Sequence, residues 1–179
     1  MKREIKGLGI ILFLLFVLSF YLVEFGIAGD SVVAMYNNGF GTFDMKPYNV
    51  TVIQDVLSQM NSDGIKVYQT YYIFDFFFIL MFGLFQCYLS VRLFKWWKIK
   101  YAAAVVCVIP IARGLFDAIE NVMLLSVLFS YPKCNVGVIG FSYAMTRVKF
   151  ICIRLWMLEA LVGIIVCVVI FVKRRVKFL

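Results

Sequence analysis

The chain has 179 residues, of which 64% are hydrophobic and only 16% are charged, and its formal net charge is +8. Soluble domains are roughly 45–50% apolar and about 25% charged, so this composition excludes an ordinary soluble fold. The excess of basic residues does not predict binding to nucleic acid, because these residues flank apolar blocks and no nucleic-acid-binding motif accompanies them.

The first apolar block covers residues 7–28 and follows the basic segment MKREIK. A helix needs about 20 apolar residues to cross about 30 Å of hydrocarbon, and this block is long enough. A cleaved signal peptide is the alternative, because the basic start and the small residues Gly26 and Ala28 suit one. The length of the block and the presence of Glu24 near its end favour a membrane span.

A polar segment, residues 29–66, follows and is predicted to be an outer loop. It begins with NNGFGTFDMKPYN, whose Gly, Asn and Pro residues are typical of a loop. Thr51 and Gln54 have the spacing of a capping box, and apolar residues recur after them at helical intervals, which predicts a short amphipathic helix over 51–62. This helix either packs on the ends of the spans or forms a mobile lid. Asn49 begins a glycosylation sequon.

Three further apolar blocks cover residues 68–91, 101–129 and 138–172. They lack the alternation of apolar and polar residues that marks a transmembrane β-barrel. Together with the first block they predict an all-α integral membrane four-helix bundle, a single transmembrane domain over residues 1–179. In a bacterium this would place the protein in the plasma membrane.

The distribution of basic residues predicts the orientation. Eleven of the 18 basic residues lie at three places: Lys2, Arg3 and Lys6; Arg92, Lys95, Lys98 and Lys100; and Lys173, Arg174, Arg175 and Lys177. The positive-inside rule therefore assigns both termini and the 92–100 loop to the cytoplasm. These residues would also contact anionic lipids, with Trp96 and Trp97 at the inner interface.

Several kinds of chemistry are disfavoured by the sequence. The five cysteines form no C-x-x-C motif and four lie within predicted spans, so no disulfide framework is expected. The chain has no histidine, the commonest ligand of zinc and haem. It also lacks the glycine-rich and nucleophile-elbow motifs of nucleotide-binding proteins and hydrolases. No cofactor and no metal are predicted.

The third block contains unexpected polar residues, in the stretch IPIARGLFDAIENVMLL. Arg113, Asp117, Glu120 and Asn121 fall within an arc of about 100° on a helix. The opposite face carries apolar residues suited to lipid: Val108, Ile111, Leu115, Ile119 and Val122. A charge at the centre of a spanning helix costs about 2.5–3.5 kcal/mol, so these groups must pair or face a polar site.

Each of the four spans carries an ionisable residue at a similar depth. Counted from the predicted cytoplasmic ends, Glu24, Asp75, Asp117 and Arg154 lie about 26–28 Å up their helices. Lys149 and Thr146 lie further out, and Arg113 lies about two turns lower. This coincidence predicts one polar site near the outer-leaflet boundary.

Simpler interpretations remain open for several of these residues. Glu24 can be interfacial, Arg154 can extend to the surface, and Asp75 can form a structural ion pair with Arg113 or Lys149. Glu159 projects away from the predicted site and is left without a role. In the second span, Tyr68, Tyr71 and Tyr72 suggest an outer aromatic belt, and the phenylalanines that follow suit lipid or core contacts.

The pattern of Asp75 in an aromatic run, FDAIENV, the Tyr131-Pro132 pair, and TRVK with Thr146 and Lys149 resembles a family of small bacterial four-helix membrane proteins without an established activity. The resemblance covers residues 68–150 and implies that the polar residues of these motifs belong to one site. The chain is also similar, at the level of fold alone, to the emopamil-binding, sterol isomerase-like four-helix proteins.

The leading hypothesis is a bundle that binds or modifies a lipid-like or small amphipathic molecule. Its candidate ligand-binding residues are Asp75, Arg113, Asp117, Glu120, Asn121, Thr146, Lys149 and Arg154. A non-catalytic partner of another membrane protein or of a second copy, and a small transporter, are the alternatives. A polar stripe exposed to lipid would favour the partner, and polar residues continuing to the cytoplasmic face would favour the transporter.

Overall fold

The computed structural model describes residues 2–96 and 102–176, with side chains over 7–96 and 102–173. The protein is 81% helical, and no strand occurs among the residues described. The helices are α1 (Lys2–Phe25), α2 (Asp30–Ala34), α3 (Val50–Ser58), α4 (Ser62–Leu93), α5 (Ala102–Ser130) and α6 (Val136–Val176). Several residues used to predict orientation lie outside this description: Trp97, Lys98, Lys100 and Lys177, and the side chains of Lys2, Arg3, Lys6, Arg174 and Arg175.

Four helical segments are long and apolar enough to cross a membrane: Gly7–Ala34, Ser62–Leu93, Ala102–Ser130 and Val136–Lys173. This confirms the predicted number of helices able to span a membrane. The second helix begins at residue 62 rather than 68, because Asn61 caps it by accepting a hydrogen bond from Gly64 N at 2.8 Å. The side of the membrane on which each end lies stays a prediction.

Consecutive long helices run antiparallel, as their contacts show. Phe16 of α1 stacks on Phe82 and Phe85 of α4, with ring centroids 5.0 and 5.4 Å apart. Farther along α1, Phe20 meets Phe78, which lies earlier in α4. Between α5 and α6 the order is also inverse: Asp117 contacts Lys149, whereas Glu120, later in α5, contacts Thr146, earlier in α6. Short connections between α4 and α5 and between α5 and α6 favour this arrangement, whereas a longer segment joins α1 to α4.

The packing is not that of a closed four-helix ring. Helix α5 packs along both α4 and α6, and α4 approaches α6 closely, since a Cβ placed on Gly163 would lie 2.8 Å from Leu93 Cβ. Helix α1 packs on α4, and among the described residues it makes no extensive contact with α5 or α6. The protein is therefore a three-helix core with α1 on one flank, which leaves a gap between α1 and α6.

The segment between α2 and α4 covers one end of this core, which we call the Tyr48 end; the opposite end, where α4 terminates, is the Arg92 end. Asp30 Oδ1 accepts hydrogen bonds from Thr42 N at 2.6 Å and Thr42 Oγ1 at 2.8 Å. Gly41 has φ +77°, and a Cβ there would lie 2.5 Å from the Asp30 carboxylate, so only glycine fits this turn. The turn directs the following residues over the helix ends.

Helix α3 lies within this covering segment and buries Ile53, Val56 and Leu57. Its N-cap is Asn49, whose side chain accepts a hydrogen bond from Val52 N at 2.9 Å. The predicted capping box is therefore wrong: Thr51 lies inside the first turn, because the chain becomes helical two residues earlier than the motif suggests.

The prediction of an aromatic belt is also wrong. Tyr68, Tyr71 and Tyr72 are at most 2% exposed and belong to the hydrophobic core. The covering segment buries them, and Phe43 N donates a hydrogen bond of 2.7 Å to the hydroxyl of Tyr68. The physical reason is that the loop folds back on α4, so the end of this helix contacts protein.

Candidate functional site

The polar stripe of α5 faces the interior of the protein. Arg113, Asp117, Glu120 and Asn121 are between 0 and 3% exposed. On the opposite face, Val108, Ile111, Leu115 and Val122 are all more than half exposed. Helical periodicity therefore separates the two faces as the sequence indicates. Burial of the stripe inside one chain counts against its use as a docking surface for a partner.

Lys149 of α6 is the centre of a buried ionic network. Its Nζ lies 2.9 Å from Asp117 Oδ1, 2.7 Å from Glu120 Oε2 and 2.5 Å from Asp44 Oδ1. The side chain of Lys149 is only 3% exposed. One ammonium group is thus surrounded by three carboxylates: it donates hydrogen bonds to Asp44 and Asp117 and forms an ion pair with Glu120.

Arg113 extends the network through Asp117. Its Nη1 donates to Asp117 Oδ2 at 2.9 Å, and its Nη2 donates to the backbone carbonyl of Ile79 at 3.1 Å. The guanidinium also lies 4.6 Å from the centroid of the Phe82 ring, a cation–π contact. Asp117 therefore joins both cations, while Arg113 Nε has no hydrogen-bond partner among the described residues.

A chain of hydroxyl groups surrounds Glu120. Thr146 Oγ1 donates to Glu120 Oε1 at 2.6 Å. The hydroxyl of Tyr48 lies 3.0 Å from Thr146 Oγ1 and 2.8 Å from Ser142 Oγ. Burial, together with the charge of Glu120, raises the pKa of Tyr48 above its ordinary value, so this phenol stays protonated near neutral pH. It can therefore donate to the carboxylate, 3.4 Å away.

Asp75 is buried beside this network and has a different partner from those expected. Its Oδ2 accepts a hydrogen bond from Asn121 Nδ2 at 2.5 Å. The ion pair expected with Arg113 or Lys149 is not formed, because both cations are occupied by Asp117 and its neighbours. Asn121 Oδ1 has no partner in the described part of the protein.

The structure brings together seven of the eight candidate residues. Arg154 is the exception, since it is exposed on the surface of α6. Sequence reasoning missed Asp44, Tyr48 and Ser142. The position of Ser142 four residues before Thr146 could have been noticed, because such residues share a helical face. For the two loop residues no local pattern exists.

The chemistry of the network follows from its charges. Three carboxylates face two cations, Arg113 and Lys149, so one negative charge is in excess when all five groups are ionised. An uncompensated buried charge is unfavourable, and the network therefore favours the uptake of a proton or of a polar partner. Oxygens of Asp44, Asp117 and Glu120 lie within 4.8 Å of one another, as metal ligands would. The ammonium of Lys149 lies among them and supplies the positive charge.

A cavity of about 140 Å³ lies against this network, in the gap between α1 and α6. One wall is polar and contains Glu24, Asp44, Asp117, Arg113 and Lys149. The other wall is apolar and contains Phe20, Val23, Phe78, Phe82, Met45 and Ile153. Phe20 is 47% and Met45 is 68% exposed, so the cavity reaches the surface between α1 and the covering loop.

A larger apolar groove of about 580 Å³ follows α6 toward the Arg92 end. It is lined by Arg154, Trp156, Met157, Leu158, Ala160, Leu161 and Ile164. The ring of Trp156 lies 6.0 Å from that of Phe82, which belongs to the cavity wall. The groove therefore begins about one helical turn from the cavity.

No family model, curated protein sequence or solved structure matches this chain. The fold and the site define its class: an all-helical protein with four helices long and apolar enough to span a membrane. Its interior holds an ionic network centred on Lys149.

Proposed function

We propose that this protein binds an amphipathic, lipid-like molecule. The polar part of the molecule would occupy the cavity beside Asp117, and the apolar part would lie between α1 and α6. The observation that carries this proposal is the cavity of about 140 Å³, which joins a charged wall to an aromatic wall and reaches the surface. Ligand sites commonly combine an apolar lining with a few well-placed polar groups.

Most hydrogen-bond donors of the network already have partners, and this restricts which polar headgroup the proposed ligand can have. The Lys149 ammonium lies between 2.5 and 2.9 Å from three carboxylates, and both terminal nitrogens of Arg113 have partners. We therefore expect neither cation to hold an anionic headgroup. Arg113 Nε remains as a donor, and the carboxylates of Glu24 and Asp44 remain as acceptors on the wall. A small head with both hydroxyl donors and oxygen acceptors fits these groups.

The apolar part has a path along the protein surface. The apolar groove of α6 begins about one helical turn beyond Ile153, which lines the cavity. An apolar chain lying there would contact exposed apolar side chains, such as Met157 and Leu161, which are 59% and 53% exposed. Such a ligand could enter sideways from the membrane without crossing a polar surface.

The test uses a variant that fills the cavity and leaves the ionic network unchanged. Ile153→Phe adds a ring to the cavity wall, whereas Ile165→Phe makes the same change at a position 52% exposed and outside the cavity. Each protein is purified in a mild detergent, and co-bound molecules are identified by native mass spectrometry.

We expect a species of defined mass to accompany the wild type and Ile165→Phe, and to fall at least about tenfold in occupancy, a change of 1.4 kcal/mol, in Ile153→Phe. Bare wild-type protein in every detergent, or equal occupancy in both variants, would contradict the proposal. Circular dichroism of both variants checks that the fold is retained.

A further inference from the structure

A second group of buried polar side chains lies toward the Arg92 end, beyond the ionic network. Gln86 and Ser90 of α4 are 0% and 1% exposed. Trp156 Nε1 of α6 donates to Ser90 Oγ at 3.1 Å, and the carboxyl group of Glu159, one turn further along α6, interacts with the same hydroxyl. The tertiary structure thus places Glu159 in contact with Ser90 of α4, which its position in the sequence does not predict.

The amide of Gln86 is unusual because neither of its polar atoms is satisfied by the protein. Oε1 and Nε2 are both buried without a hydrogen-bond partner among the described residues, and so is Glu159 Oε1. Polar atoms buried in a membrane-spanning region require partners. A partner for Gln86 must both donate and accept hydrogen bonds and must be small. Water meets these requirements.

The polar positions of α4 form a continuous row that reaches the ionic network. Asp75, the carbonyl of Ile79, Gly83, Gln86 and Ser90 follow one another at spacings of three or four residues, so they share one face. The row extends over about 22 Å at 1.5 Å per residue, most of the thickness of a bilayer core.

Gly83 leaves space at the junction between the two polar groups. A Cβ placed on Gly83 would lie 4.0 Å from Arg113 Nη2, with no other atom as close. Arg113 in turn contacts Asp117. The absence of a side chain at Gly83 therefore leaves space beside Arg113, on the face of α4 that also carries Gln86.

We propose that Gln86, Ser90 and Glu159 form a hydrated proton-exchange site, through which protons from the Arg92 end reach the Arg113–Asp117 pair. The carboxylate of Glu159 would accept a proton from a hydronium ion, which leaves as water, and would pass this proton to water at Gln86. That water would give a proton to Asp117, so each transfer breaks one O–H bond and forms another. The excess negative charge of the network supplies the attraction. This site is independent of the proposed ligand.

The groups that surround Glu159 are compatible with this role. From α4 it faces Ser90, and Cys87 lies within electrostatic range of both Glu159 and Arg113. From α5, Cys107 donates to the backbone carbonyl of Cys87 at a sulfur–oxygen distance of 3.9 Å. Arg113, a cation of the ionic network, is already bound by Asp117. None of these contacts satisfies the second oxygen of Glu159.

The experiment follows the hydrogen–deuterium exchange of the Arg113 Nε–H group by NMR. The protein is labelled with ¹⁵N-arginine and placed in lipid nanodiscs, and the signal is assigned with Arg113→Lys. Gln86→Met keeps the length of the side chain and removes its polar atoms, and Glu159→Gln removes the proton-binding carboxyl. Gln69→Met is the matched control, since Gln69 is on the same helix but outside the row.

We expect exchange to slow at least about tenfold in Gln86→Met and Glu159→Gln and to be unchanged in Gln69→Met. Equal rates in all four proteins would overturn the proposal. Should Gln86→Met fail to fold, hydroxyl-radical footprinting of the wild type decides: rapid oxidation of Trp156 supports bound water beside it. If Trp156 is oxidised no faster than the buried Met81, the proposal is overturned. Loss of the ligand in Ile153→Phe leaves both readouts unaffected, so the two proposals fail separately.

Discussion

The replacement of Lys149 by methionine tests the ionic network most directly. The change keeps an unbranched side chain of similar length and removes the charge that holds Asp44, Asp117 and Glu120 together. The nearest oxygens of these carboxylates lie within 4.8 Å of one another. At this distance, two unit negative charges repel by about 3.5 kcal/mol at an effective dielectric constant of about 20.

The expected loss of stability follows from this repulsion. Removing one partner of a buried ion pair typically costs about 3–5 kcal/mol, and here three pairs are lost together while protonation of a carboxylate relieves part of the repulsion. We therefore expect a loss of about 3–5 kcal/mol. For a protein of this length that corresponds to a fall in Tm of roughly 6–20 °C.

The assay is reversible unfolding in mixed micelles, followed by circular dichroism. Lys66→Met is the matched control, because the Lys66–Asp63 pair is 3.9 Å long and both side chains are about three-quarters exposed. Surface pairs of this kind contribute about 0–1 kcal/mol. If Lys149→Met costs no more than this control, the network does not stabilise the fold and the reasoning fails.

Two further predictions concern the hydroxyl cluster and the approach of two helices. Tyr48→Phe keeps the ring and removes one hydrogen-bonding hydroxyl, so it should cost about 1–3 kcal/mol in the same unfolding assay. Because the pKa of Tyr48 is raised in the folded protein, its hydroxyl stabilises the fold below the unfolded pKa, about 10, and this contribution declines as pH rises through the folded value. The wild type should therefore lose more stability than Tyr48→Phe above pH 10, and parallel pH profiles would contradict this. Gly163→Val should cost about 1–3 kcal/mol, because its Cβ would lie 2.8 Å from Leu93 Cβ. Gly140→Val, which has nothing within 4 Å, is the control, and equal Tm values in the two variants would refute the close packing of α4 and α6.

Local patterns in the sequence were sufficient for the helices and for the polar face of α5. The length and apolarity of each block predicted four segments able to span a membrane, and the structure has four. The 3.6-residue period placed Arg113, Asp117, Glu120 and Asn121 together, and all four are buried. Both predictions depend only on residues within a few helical turns of one another, and the sequence gives their spacing directly.

Only the tertiary structure decided which groups complete the site. Asp44 and Tyr48 contact residues of α5 and α6 that are 72 to 105 positions away in the chain. No local pattern marks a loop residue for such a contact, because the path of the loop depends on the turn built by Asp30 and Gly41. The same path buries Tyr68, which sequence reasoning had placed in an interfacial belt.

The position of α1 and the surroundings of Glu159 were decided in the same way. Hydropathy gives no information about which helix faces which, so a closed bundle and a three-helix core with α1 on its flank are equally compatible with the sequence. Packing of Phe16 on α4 leaves the gap that contains the cavity. Close contact between α4 and α6 brings Glu159 to Ser90. Helix formation is a local property of the chain, whereas helix pairing depends on the shapes of side chains distant in sequence.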